Sequence, residues 1–264
     1  MAAIITHQTA LDFNIKAVAY LAQGDHRGCT TELENALKAY RTSLQIADRR
    51  LEADAMEMAN EDDERRTSIR LQTFALPDSL TASLEDGSTR KASSQFACGN
   101  VLTVFQKAFV AVRDDEFDDE FDFDDDDEDD EPHHPEHIVP STILYNMGLS
   151  FHLDAIRHGS SVGMVRAYEF YRHSMAMLEN RREAIDPTRV RALLAALACN
   201  MAHISASFYH QSNTSKSMAL LRNLVMNGVD DDDEDDLQDD ELDTFTMNWI
   251  FYSEYHHAAL AAAA

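Results

Sequence analysis

Apolar side chains at Leu33, Leu37, Tyr40, Leu44, Ala47, Leu51, Ala55 and Met58 follow one another at steps of three and four residues. Only a helix gathers such positions on one face. A helix with one apolar stripe needs another element to cover it. Unbroken from His26 to Asn60, this one would run about 50 Å. That is more than one hairpin partner covers, so the far end meets a second partner or frays near Glu61-Asp62-Asp63-Glu64.

The same periodicity recurs along the chain. Leu11, Ile15, Val18 and Leu21 predict a helix over 9–23, opened by Thr9 and Asp12 as a weak capping pair and broken at Gln23-Gly24-Asp25. Past Pro140, with Ser141 as N-cap, a helix is expected over 142–158, then another from Gly159-Ser160-Ser161 to about residue 182. Asp186-Pro187 opens a helix from Thr188 to about His210. After the turn Gln211-Ser212-Asn213-Thr214 a further helix reaches Met226, where Asn227-Gly228 stops it. The last helix is placed from Thr244 to the end, with Leu242, Phe245, Trp249 and Ile250 as its apolar face. Eight Gly and five Pro in 264 residues leave few breakers. Residues 71–113 differ. Pro77, Asp86-Gly87, a Ser/Thr-rich stretch and the Val- and Phe-rich FACGNVLTVFQKAFVAV (96–112) predict an irregular excursion with one or two short strands.

The net charge of −26 is concentrated. Asp114–Glu131 holds 15 acidic residues and Asp230–Asp243 holds 11, with no base in either. Of 48 acidic residues, 26 lie in these runs, so 22 remain to face 22 Lys and Arg. The body is neutral and carries two polyanionic stretches, read as solvated disordered linkers. A neutral or repulsive field argues against nucleic acid. The longest apolar runs, 192–199 and 258–264, fall short of a membrane span. The N-terminus lacks a basic n-region. An intracellular protein, cytoplasmic or nuclear, is expected. Cys29, Cys98 and Cys199 form neither a zinc module nor a disulfide framework.

The helices fall into three pairs. The second helix of each begins with a small residue (Cys29, Ala167, Ser217), has a bulky one four later (Leu33, Tyr171, Leu221) and ends on Leu37, Met175 or Val225, preceded by Ala36, Ser174 or Leu224. The first helices carry Ala17, Gly148 and Ala202, small residues that let two helices approach. Asn146-Met147-Gly148 recurs as Asn200-Met201-Ala202, and the turn between the first pair is Gln-Gly-Asp at 23–25. This pattern resembles the tetratricopeptide repeat. The layout is similar to a large algal family of uncharacterised proteins with one early hairpin, a variable insertion and two later hairpins opening on a motif like ILYNMGLSFHL (143–153). The spacing between small residues is 12, 19 and 15. The resemblance implies an all-α right-handed array of three helical hairpins plus a C-terminal helix, with a small irregular or β excursion.

The expected organisation is a first hairpin with an extended second helix over 1–70, the excursion over 71–113, an acidic and His/Pro linker over 114–137, two hairpins over 138–228, an acidic loop over 229–243 and a capping helix over 244–264. The hairpins are expected to pack as one domain.

Members of the repeat family bind peptides along the groove lined by the first helices. Here the resemblance puts Asn14, Val18, Tyr145, Leu149, Cys199 and His203 in that groove. Only Asn14 suits a clamp for a C-terminal carboxylate. An alternative is a groove filled internally, by the excursion or by the last helix. An open groove lined by mixed polar residues favours peptide binding, and a plugged one sinks it.

Few constellations suggest chemistry. His133, His134 and His137 sit in a linker without the pre-set geometry that a metal site needs. The remaining histidines, among them His152, His158, His203, His210, His256 and His257, read as structural polar groups on helices. Cys29 holds a packing position. No GxSxG, P-loop or GxGxxG is present. No catalytic residue, cofactor or metal is assigned. The expectation is a non-enzymatic protein-interaction scaffold with an unidentified protein partner, and neither nucleic acid nor membrane as partner. The alternative is an acidic chaperone for basic proteins such as histones, since Phe117, Phe121 and Phe123 interleave with acids.

Overall fold

The computed structural model of the chain describes residues 2–54, 69–77, 102–113, 137–179, 187–226 and 239–263, and every structural statement below concerns these. Seven helices and one two-stranded sheet are present among them: α1 (Ala2–Ala22), α2 (His26–Asp54), β1 (Ile69–Ala75), β2 (Lys107–Arg113), α3 (Ile138–His158), α4 (Ser161–Glu179), α5 (Pro187–Ser207), α6 (Gln211–Met226) and α7 (Asp239–Ala263). The fold is mostly helical. Each of α1–α2, α3–α4 and α5–α6 packs as a hairpin, α2 lies against α3 and α4 against α5, and α7 closes the row on α6 and α5.

The turns follow local chemistry. Asp25 caps α2, its Oδ1 accepting from the Gly28 N–H at 2.8 Å. Gly159 ends α3 in the left-handed region, φ 66°, where a side chain would be strained. Within the second hairpin, a Cβ added to Gly148 would stand 2.6 Å from Cε1 of the fully buried Tyr171. Bare backbone at 148 therefore admits the Tyr171 ring. Ala17, Cys29, Leu33, Ala36, Ala167, Ala202 and Leu221 are likewise buried, whereas Ser217 stays partly exposed.

Several boundaries differ from the sequence reading. α1 starts at Ala2, so Thr9 and Asp12 lie inside it rather than capping it. α3 starts at Ile138; Ser141 is no cap but a buried side chain exchanging hydrogen bonds with the Ser174 backbone carbonyl and Ser174 Oγ with its own carbonyl. Pro140 is tolerated there because the first helical turn has no intrahelical acceptor for its N–H. α5 ends at Ser207, leaving His210 exposed in the turn, and α6 begins at Gln211 rather than after Thr214. α7 begins at Asp239, inside the second acidic run, where a helix N-terminus favours carboxylates. Its inward residues are Glu241, Phe245 and Asn248; Leu242, Trp249 and Ile250 are only partly buried. The first acidic run, Cys98, His133, His134 and the end of the α2 stripe beyond Asp54 lie outside the described residues.

The excursion supplies the sheet. β1 and β2 pair antiparallel, Thr73 opposite Phe109 and Ile69 opposite Arg113. β2 lies against α3 and α1, and Phe105, Ala108, Phe109 and Ala111 belong to the same apolar core as the helices. The stretch Val190–Ser207 is long and apolar enough by composition to cross a membrane, yet it is mostly buried within this core.

Candidate functional site

Asparagine is a poor residue for a helix interior, because its amide competes with the helix backbone for hydrogen bonds. Four asparagines nonetheless stand buried inside helices here: Asn14 in α1, Asn146 in α3, Asn200 in α5 and Asn248 in α7. All four face the segment 102–113, which runs extended across these helices.

The bonds form a ladder. Asn146 Oδ1 accepts from the Phe109 N–H at 3.1 Å, and its Nδ2 donates to the Phe109 carbonyl at 2.7 Å. Asn14 Nδ2 donates to that carbonyl at 3.2 Å, and Asn146 Nδ2 also donates to Asn14 Oδ1 at 2.9 Å. Asn200 treats Phe105 in the same way, accepting from its N–H at 2.8 Å and donating to its carbonyl at 3.2 Å. Asn248 does so with Thr103, at 2.7 and 3.1 Å. Tyr145 fills the intervening rung, its hydroxyl donating to the Lys107 carbonyl at 3.1 Å. Alternate residues of an extended chain turn their N–H and C=O to the same side. Over Lys107–Arg113 one side pairs with β1, and along 103–109 the other side meets side chains that stand in for a neighbouring strand.

Side chains fix the register. Phe105 stacks on Phe245 with ring centroids 4.7 Å apart, and Phe109 meets Tyr145 edge-on at 5.0 Å. Lys107 Nζ lies 3.2 Å from Oε1 of Glu241, whose side chain is 1% exposed. Glu241, Phe245 and Asn248 share one face of α7 and meet Lys107, Phe105 and Thr103 in turn. Seven helical residues climb about 10 Å while four strand residues span about 13 Å, so helix and strand keep step over three contacts.

Beneath the strand lies a buried polar cluster. Asn200 Nδ2 also donates to the hydroxyls of Tyr171 at 3.2 Å and Tyr145 at 3.3 Å. Tyr171 OH meets His152 Nδ1 at 3.3 Å, and His152 Nε2 meets His203 Nδ1 at 3.0 Å. Burial pushes the His203 imidazole down to about 4 and holds His152 well below its usual range, with His203 beside it adding to the effect. Both are neutral near pH 7. Burial raises both tyrosine hydroxyls and pushes the Cys199 thiol up to about 12. Cys199 Sγ donates to the Thr103 carbonyl and accepts from Asn248 Nδ2. Each of these groups keeps its proton state around neutrality and works here as a hydrogen-bonding partner.

Of the residues that the sequence put in the groove, Asn14, Tyr145 and Cys199 contact the strand backbone. Val18 and Leu149 are buried, and His203 meets His152 instead of the strand. Segment 102–113, the described end of the excursion, lies on the helix faces to which the resemblance assigns the groove. Sequence reasoning missed Asn146, Asn200 and Asn248 as binding residues. The available signal was asparagine at mid-helix, two residues before the small residue in α3 and α5. No group of three or more potential metal ligands occurs among the described residues. No protein-family model, curated protein or solved structure matches this chain.

Proposed function

We propose that this chain is a non-enzymatic protein-interaction scaffold, a right-handed tetratricopeptide-like array whose groove holds an extended peptide, and that its own segment 102–113 is the resident ligand. The asparagine ladder carries this reading. Carboxamides from four helices engage the backbone of residues 103, 105 and 109, and backbone recognition serves any extended chain in that register. The close Gly148–Tyr171 approach supports the repeat-like packing. The filled groove argues against capture of a free peptide by the undisturbed chain, so binding in trans requires the resident strand to leave.

The test cuts the chain without removing any of it. Protease sites placed within 78–101 and 114–136 are cleaved after folding, and a fluorescent peptide of residues 102–113 is added. The expected result is exchange into the groove, seen as raised anisotropy, with a scrambled peptide excluded. Departure of the strand accompanied by global unfolding would make the segment core rather than ligand and refute the reading.

A further inference from the structure

The ladder reads backbone and cannot by itself choose among sequences. The side chains that meet the strand can. Three odd-numbered positions are each matched by a distinct chemistry. Phe105 lies on the Phe245 ring, Phe109 lies against Tyr145, and Lys107, midway between them, reaches Glu241. Among the described carboxylates of its run, Glu241 is buried and Asp243 is exposed. Glu241 stands on the first turn of α7, and among the described residues Lys107 Nζ is the cation at its carboxylate. A carboxylate withdrawn from water and left without a cation is costly. A strand with a neutral or acidic residue at the middle position would leave Glu241 in that state.

Resting on the peptide-groove reading above, we propose that the groove selects an extended partner segment of the pattern aromatic-x-Lys/Arg-x-aromatic, with Glu241 as the residue that reads the cation. Segment 102–113 then acts as a tethered mimic of that partner. The strand is covalently held beside its site, so it competes at high effective concentration. Only a segment matching both aromatics and the cation displaces it. In sequence, Glu241 belongs to the second acidic run.

The experiment uses the cut, fully retained chain and labelled peptides of residues 102–113. Three are compared: the native sequence, a Lys107→Glu version and a Phe109→Ser version. The native peptide is expected to bind at least tenfold more tightly than either variant. Chains carrying Glu241→Lys are expected to reverse the preference between the native and Lys107→Glu peptides. Equal binding of all three peptides overturns the selectivity while leaving the groove reading intact. No binding of the native peptide overturns the groove reading and the selectivity with it. A second measurement uses the intact chain. Amide hydrogen exchange at Phe109 is expected to speed up in Lys107→Glu and to slow again in Lys107→Glu/Glu241→Lys. Unchanged exchange in the single variant overturns the proposal.

Discussion

Replacing Asn146 by alanine removes the Phe109 rung of the ladder, and the structure says what is left behind. The Phe109 N–H loses its acceptor and Asn14 Oδ1 loses the Asn146 donor, while the Phe109 carbonyl keeps Asn14 Nδ2. Two buried polar groups are orphaned, each at a cost of about 1–3 kcal/mol, so the loss should be about 2–6 kcal/mol. Asn248→Ala is the comparison. It frees the Thr103 N–H, while the Thr103 carbonyl keeps Cys199 Sγ; Thr103 is exposed, so water can replace the amide, and the expected loss is about 1 kcal/mol. Asn200→Ala should fall between these, because Tyr145 OH still approaches the Phe105 carbonyl at 3.4 Å. Urea denaturation of the three variants measures the order, with the m-value checking that the native state stays compact. Hydrogen exchange at Phe109 and Phe105 locates the effect. Equal losses for Asn146→Ala and Asn248→Ala, or a loss below about 1 kcal/mol at Asn146 with Phe109 still protected, would refute the view that these amides stand in for a strand.

Three further outcomes are expected. Gly148→Ala should lower the melting temperature: the gain in helix propensity of about 1 kcal/mol is outweighed by overpacking against Tyr171, about 1–3 kcal/mol, and a rise would contradict the packing argument. Ser205→Ala should be neutral or stabilising in chemical denaturation, since Ser205 Oγ is buried without a hydrogen-bond partner among the described residues and its removal relieves a desolvated hydroxyl. Stability should also depend on pH through His203. Its folded-state value near 4 lies below the ordinary histidine value of 6.5, so the unfolded chain binds the extra proton. The contribution is complete above about pH 6.5 and is lost as pH falls towards 4, by up to about 3 kcal/mol, less where water reaches the partly exposed ring. Melting curves of wild type and His203→Gln between pH 7 and 4.5 isolate it, because the acidic runs act alike in both; parallel curves would show that the imidazole does not carry the dependence.

The helices were largely visible in the sequence. Steps of three and four residues between apolar side chains are a local property, and Gly24, Gly159 and Pro187 punctuate them by local backbone chemistry. Boundaries slipped where packing rather than periodicity decides. Ser141 resembles a cap until Ser174 is seen opposite it, and α7 reaches back into an acidic run that composition alone assigns to a loop.

The candidate site was only partly visible. Asn14, Tyr145 and Cys199 could be placed on inner helices by repeat spacing, and Asn146 and Asn200 could be noticed within a recurring motif. Their ligand could not, because each bond joins residues far apart in sequence, as with Phe109 and Asn14 or Thr103 and Asn248. Glu241 is one of 11 acidic residues in its run, identical in kind to the rest. Its burial and its contact with Lys107 belong to the packed chain. The sequence by itself determined the helical hairpins, whose periodicity needs no distant partner. The tertiary structure decided which helices segment 102–113 lies against, since an extended strand has no internal hydrogen bonds and takes its partners from wherever the fold brings them.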